Sequence, residues 1–336
     1  KNGGVVYQSS SPPAANAAHT TRYNPVPLVQ GSHEVPVLIA TPDPSQPASA
    51  EPPWPVVIFQ HGITRSRFDS AAFTSLLCGL GYAVVAMDAP LHGTTTVNPL
   101  FAGVGGAFTL PGEERTLGID LVNNATGEPE GVDEGGFAIG DGIPEESGEY
   151  FLNFPSLISS RSVWMQAVCD LALLTATIPD WDYDGDGDPS NDFTDEVHYV
   201  GQSLGGLIGT TFLSAMPEGY ITSGELNVTG GAVAKLLENS PVYNPRLLNF
   251  FADNGLVQGS TRAEQALNVI SAVADSIDPI NHIRRASQRV PIHMGVVVGG
   301  KPTAENSFGV WLPDTVVPTD SLGTGLYAVM VGTPVT

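Results

Sequence analysis

Basic residues are scarce in this chain: 13 Lys and Arg stand against 35 Asp and Glu among 336 residues, a formal charge of −22. That excludes nucleic acid or an anionic membrane surface as a partner, since either is recognised by clustered positive charge. Cysteine is nearly absent. Cys78 and Cys169 fall in stretches that read as helices, and no spacing forces them to pair, so buried free thiols are expected. Charged residues of both signs make up only 14% of the chain, against a usual share of about 25%. Uninterrupted apolar runs of membrane-spanning length are also missing, and no transmembrane segment is expected. Glycine (38) and proline (28) are abundant instead, which predicts long ordered loops. A chain of this length can bury the core of one large α/β domain and still carry an insertion.

The stretch Val197–Phe212, VHYVGQSLGGLIGTTF, organises the rest. Val197, Tyr199 and Val200 have strand character, and Leu204 to Leu213 opens a small-residue helix. Between them Gly201-Gln-Ser203-Leu-Gly205 has the G-x-S-x-G form of a sharp strand-to-helix turn, in which a β-carbon at either flanking glycine would collide with a neighbour. Such a turn exposes the Ser203 hydroxyl at the top of a sheet and directs the Leu204 amide and the helix N-terminus to the same point. It reads as a nucleophile beside an anion site.

Around the elbow the chain alternates strands and helices. Residues 1–24, with the Ala/Pro/Ser-rich stretch 9–18, read as a linker following a removed export signal or anchor; 25–336 read as the folded domain. Residues 25–29 and 35–40 alternate about Gly31-Ser32 as a hairpin. The apolar run 55–59 reads as a buried strand ending in Gln60-His61-Gly62-Ile63-Thr64. A His-Gly at that point is where an acyl-transfer enzyme of this architecture takes its second oxyanion donor, here the Ile63 amide, with His61 as an orienting residue. A helix is expected over 71–80 and a strand over 82–87, followed by a loop in which Asp88 and His92 act as braces. Residues 94–157 read as an acidic, Gly-rich insertion, and 157–178 as an amphipathic helix with Val163, Ala167, Leu171 and Leu174 on one stripe.

Asp182, Asp184, Asp186 and Asp188 alternate with glycines as in a calcium loop. The twelfth position is Phe193 where an EF-hand needs Glu, so the ladder is either a structural calcium site or an Asp/Gly turn. After the elbow come an expected strand over 229–237, a helical, lid-like stretch over 241–277 with an apolar wall at Phe250, Phe251, Leu256 and Val257, and a strand over 291–298. Asp314 then lies in the loop after the second-to-last strand, where the acidic triad member belongs, and 326–331 reads as the last strand.

Taken in this order, the chain resembles the α/β-hydrolase superfamily over nearly its whole length, with a mostly parallel central sheet flanked by helices and an inserted cap or lid. More narrowly it resembles bacterial extracellular lipases and carboxylesterases of the surface, or virulence-factor, lipase group. That likeness is carried by Gln60–Thr64, Asp88–Gly93, Ser147–Asn153, Arg161 with Met165-Gln-Ala, Asp170-Leu, the Asp/Gly ladder, Gly201–Gly206 and Ile277–Asn281. The resemblance implies a serine esterase or lipase acting on short to medium acyl esters, extending to lipid or polymeric ester substrates as well as small molecules, secreted or held at the cell envelope, with no cofactor for catalysis. It also implies a catalytic histidine after the last strand. No histidine follows His293, so this residue is expected just beyond Thr336, with His282 and His293 the least implausible substitutes. A peptidase or thioesterase of the same fold, or a non-catalytic hydrolase-fold binding protein, are the alternatives.

Overall fold

The computed structural model describes residues 31–43, 45, 50–94, 114–297 and 314–318. The chain divides after Val35, and the unit Pro36–Thr336 carries every element that follows. Among the described residues six strands form its main sheet: β1 (Val37–Ala40), β2 (Trp54–Gln60), β3 (Ala83–Met87), β6 (Phe193–Gln202), β7 (Ser223–Asn227) and β8 (Ile292–Gly295), in the spatial order β1-β3-β2-β6-β7-β8. Two short strands, β4 (Gly131–Val132) and β5 (Ala138–Ile139), make a separate exposed hairpin in the stretch read as an insertion. Only β1 runs antiparallel, against β3; every other pair in the main sheet is parallel.

The composition of the strands explains their places. All of β3 is buried, and β2 nearly so, with Val56, Ile58 and Val85 wholly inaccessible, as expected for central parallel strands covered on both faces. By contrast, β7 (SGELN) alternates half-buried and buried positions and contains residues disfavoured in strands.

The helices are α1 (Ala71–Gly79), α2 (Leu157–Thr177), α3 (Leu204–Ala215), α4 (Val233–Asn239), α5 (Asn244–Asp253), α6 (Thr261–Ala274) and α7 (Ile283–Arg289). Helix α3, which follows the elbow, is buried from Leu204 to Ser214 and packs against β6, β7, α2 and α7. On α2 the buried stripe is Trp164, Ala167, Leu171 and Leu174; Val163 is only half-buried. Helices α4, α5 and α6 share a core of their own, built on Ala234, Leu247, Phe251, Leu267 and Ile270, with Phe154 and Leu157 packed against it. The Phe154 and Phe250 rings stack at 5.6 Å, and Arg246 pairs with Glu149 at 2.9 Å, so the segment leading into α2 is joined to α5.

Several expectations need correction. The strand expected over 229–237 is instead β7, six residues earlier, followed by α4. Ala232, in the left-handed region at φ 54°, turns the chain into this helix, and the Asp278 carboxylate accepts the Ala232 and Val233 amides, both at 2.8 Å. Burying an apolar face then satisfies Val233, Leu236 and Leu237 as a helix rather than as a strand. The helical stretch over 241–277 is two helices separated by a turn at Asn254-Gly255 and capped by Ser260, whose Oγ accepts the Ala263 amide. The cysteines are free but not buried: Cys78 is half-buried on the inner face of α1, a helix with no fully buried residue, and Cys169 is exposed, off the buried stripe of α2. Among the described residues one helical span, Phe154–Asp180, is long and apolar enough to cross a membrane by length and composition alone. It packs on α3 and α6 and carries the Asp170–Arg115 ion pair (2.5 Å). Residues 25–29 and 326–331 lie outside the described residues.

Candidate active site

The strand order locates the site. From β2 the chain moves to β3 on one side, then returns to lay β6 on the other side of β2. The carboxyl ends of β2 and β6 therefore flank a topological switch point, where open α/β sheets hold their ligands. These ends are His61-Gly62-Ile63 and Ser203.

Ser203 has φ 53° and ψ −114°, a conformation a non-glycine residue adopts only when its surroundings force it. The surroundings do so from every side. Its amide donates to the Asn227 carbonyl at the end of β7 (2.9 Å). A β-carbon on Gly201 would enter the Gly205 carbonyl, and one on Gly205 would enter the Gln60 carbonyl of β2. One on Gly206 would stand 2.7 Å from Thr229 Cβ, and the Tyr199 hydroxyl donates to the Gly205 carbonyl at 2.7 Å. Ser203 itself stays partly exposed at the mouth of a cavity whose wall includes Ile63, Leu204 and Leu207.

Gly62 brings the β2 loop onto the serine: a β-carbon there would lie 3.3 Å from Ser203 Cβ. The turn is closed by the Arg65 amide donating to the Gly62 carbonyl (3.2 Å), and Ile63 within it faces the Ser203 cavity. The amides of Leu204, in the first turn of α3, and of Ile63 thus belong to backbone segments meeting at the serine. First-turn helix amides have no intrahelical acceptor.

His61 is fully buried and anchors this loop. Its Nδ1 donates to the Gly62 carbonyl (2.7 Å), which leaves Nε2 to accept the Ala89 amide (3.0 Å) from the β3 loop. Both ring nitrogens are committed, so His61 positions the loop and is not available as a base. The β3 loop is tied as tightly. Asp88 accepts the Arg67 amide (2.6 Å) and pairs with the Arg67 guanidinium, which also reaches Glu114 (2.8 Å). His92 donates from Nδ1 to the Pro90 carbonyl (2.9 Å) and lies 4.9 Å, ring to ring, from His61. Burial holds both histidines below the ordinary pKa, His92 the further of the two. Ser147, at the exit of the insertion, donates to the Arg65 carbonyl (2.8 Å) and accepts the Gly93 amide (3.1 Å), so it joins the two loops.

Asp314 lies two residues before Val316, which together with Val317 lines the Ser203 cavity. Its Oδ1 accepts the Val316 and Val317 amides, both at 2.8 Å, and the Thr315 carbonyl accepts from Ser240 Oγ (3.3 Å). The segment is thereby held between the site and the α4–α5 turn. None of the histidines among the described residues hydrogen-bonds Ser203. His282 bonds Ser214 Oγ (3.0 Å), eleven residues along α3 and so roughly 16 Å from the serine. His293 is exposed on β8 and pairs with Glu225.

The aspartate ladder is remote. It precedes β6, whose ten residues put about 30 Å between it and Ser203. Asp182, Asp184 and Asp186 bring carboxylate oxygens within 4.8 Å of one another, a donor set suited to a hard cation, whereas Asp188 caps the following turn at Ser190. Asp182 and Asp186 already use both oxygens, on the Gly185, Gly187 and Asp188 amides and on Asn191 Nδ2. The loop therefore closes on its own hydrogen bonds.

Sequence reasoning did not single out the rest of the cavity wall: Leu152, Trp164, Val233, Leu236, Leu237 and Tyr243. Of the buried stripe of α2, Ala167, Leu171 and Leu174 were visible in sequence, with Val163 read in the place that Trp164 takes. That its Trp164 abuts a site some forty residues later was not.

A parallel sheet with this strand order, flanked by helices and carrying the serine elbow at its switch point, defines an α/β-hydrolase fold. No protein-family model and no curated protein matches the chain. Among solved structures it is similar to acetyl xylan esterase 1 from Thermoanaerobacterium sp., with 14% identity and a TM-score of 0.44 over 78% of this chain and 63% of that one. It is also similar to a thermostable carboxyl esterase from Bacillus coagulans, with 13% identity and a TM-score of 0.38 over 90% and 84%. A lipase in its open form gives 15% identity and a TM-score of 0.37 over 89% and 82%. The chain thus spans somewhat under two thirds of the first of these. The fold assignment rests on the sheet and the elbow rather than on these likenesses.

Proposed function

We propose that the protein is a serine carboxylesterase or lipase that hydrolyses carboxylic esters through an acyl-enzyme. The observation that carries this reading is the convergence of the strained Ser203, the first turn of α3 and the Gly62-Ile63 turn on one apolar cavity. In this reading Ser203 Oγ attacks the ester carbonyl carbon as a histidine takes its proton, and the amides of Leu204 and Ile63 hold the oxyanion. The histidine then protonates the departing alkoxide. Water adds to the acyl-enzyme with the same histidine as base, and the acid leaves as Ser203 regains its proton. Asp314 orients the histidine, which the reading places after the last strand. The step needs no cofactor, any calcium at the aspartate ladder would be structural, and the acidic, lysine-poor surface suits a secreted or envelope-held enzyme.

Intact mass and peptide mapping after fluorophosphonate treatment test this. The expected result is one adduct, on Ser203, with S203A lowering ester hydrolysis by ~10⁵-fold or more. Because no described histidine bonds Ser203, a second reading stands beside the first: a hydrolase-fold binding protein without catalysis. An unmodified Ser203, with esters untouched, would establish that one instead.

A further inference from the structure

The Ser203 cavity does not stand alone. A second cavity lies between the start of α2, α4 and the end of α6, and the two share four side chains: Leu152, Trp164, Val233 and Leu237. Both are narrow: the volume open to the centre of a water-sized molecule is about 40 Å³ at Ser203 and about 50 Å³ beyond. Their walls are almost wholly apolar. The far cavity is bounded by Phe154, Leu157, Ile270, Val273, Ala274 and Ile277, with Asn153, Ser160 and Arg161 contributing little of the exposed wall. Two of the four shared residues, Leu152 and Leu237, are leucines, whose unbranched β-carbons leave more rotamers open than the β-branched Val233 beside them.

We propose that the acyl portion of the ester runs from Ser203 between these four side chains into the far cavity, so that the enzyme takes unbranched, uncharged acyl chains of medium length. The inference rests on the esterase reading and supplies its substrate class. Along α2 the far cavity extends from Leu157 to Trp164, seven residues or about 10 Å of helix, room for on the order of eight extended carbons beyond the shared wall. A butyryl group ends before that wall and gains nothing from the second cavity. Each buried methylene of a longer chain contributes about 0.8 kcal/mol, close to fourfold in affinity. A hydroxylated or charged acid would lose its hydration against these walls with few polar partners to replace it.

Two readouts test the proposal, one of which needs no catalysis. Calorimetric titration with decanoate and butyrate should show decanoate binding at least tenfold more tightly, and V273F, which fills the far cavity, should remove that difference. V273A, which enlarges the cavity, covers the case in which V273F does not fold and should move the preference toward dodecanoate. On 4-nitrophenyl esters, the ratio of kcat/KM for decanoate to that for butyrate should fall at least tenfold in V273F. Decanoate binding no better than butyrate, or variants that leave the preference unmoved, would overturn the proposal. Decanoate binding that responds to Val273 without any ester hydrolysis would retain the cavity and remove the esterase reading.

Discussion

At the scale of the residue, two glycines near Ser203 separate folding from catalysis. A β-carbon on Gly205 would penetrate the Gln60 carbonyl, and neither β2 nor α3 can retreat, since both lie in the core. G205A should therefore cost about 3 kcal/mol or more and be seen as a large fall in melting temperature. At Gly62 the tightest contact of a β-carbon would be Ser203 Cβ at 3.3 Å, with the Gln202 carbonyl at an ordinary 3.5 Å. G62A should leave the melting temperature within a few degrees and lower kcat by ~10²-fold, because the loop shifts by tenths of an ångström where the oxyanion donors must be placed. Equal losses of stability in the two variants would contradict this division. The role of the elbow glycines was legible because the motif states their spacing. The part played by Asn227, whose carbonyl accepts the Ser203 amide, was not, since nothing local in SGELN marks it as the serine's neighbour.

Among the elements, the loops after β2 and β3 behave as one unit through His61 and His92. Both side chains are inaccessible, and desolvation is the largest cause lowering each pKa; Asp88 acts on His61 in the opposite sense, whereas the nearby Arg115 lowers both. In the unfolded chain a histidine titrates near 6.5. A depressed folded value means that the stability linked to these groups is full above about pH 6.5 and is lost as pH falls, because the unfolded state takes up protons first. Melting temperature should drop between pH 6.5 and 5 beyond what the carboxylates explain, and H92F should flatten that slope. A slope unchanged in H92F would show that His92 is not the group responsible. The strands β2 and β3 were legible here as continuous apolar runs. By contrast, β7 went unassigned and α4 was read as a strand, since β7 is held by its neighbours rather than by propensity, and α4 is started by Asp278 some forty-five residues downstream.

For the molecule as a whole, sequence order carried the architecture further than it carried the site wall. A serine elbow, a preceding His-Gly strand end and an acidic residue in the right order are local signals, and the sheet places Ser203, Leu204 and Ile63 together. The paired cavities depend on side chains of α2 and α6 more than a hundred residues apart, such as Trp164 and Ile270, and the core shared by α4, α5 and α6 on packing between three helices, which no local pattern encodes. Charge acts at this largest scale too. With 35 acidic side chains against 13 basic ones, the folded state concentrates negative charge that the unfolded chain spreads over a larger volume. The ion pairs seen are few, and the exposed ones, such as Arg246–Glu149, contribute about 1 kcal/mol or less. Screening should therefore relieve more repulsion than it removes attraction. Raising sodium chloride from about 10 mM to 150 mM shortens the Debye length from roughly 30 to 8 Å, and the melting temperature should rise by several degrees near neutral pH. Potassium chloride should act alike, since the effect is one of ionic strength. A melting temperature that fell with added salt would mean that the buried network of Arg67, Asp88 and Glu114, together with the surface pairs, outweighs the net charge.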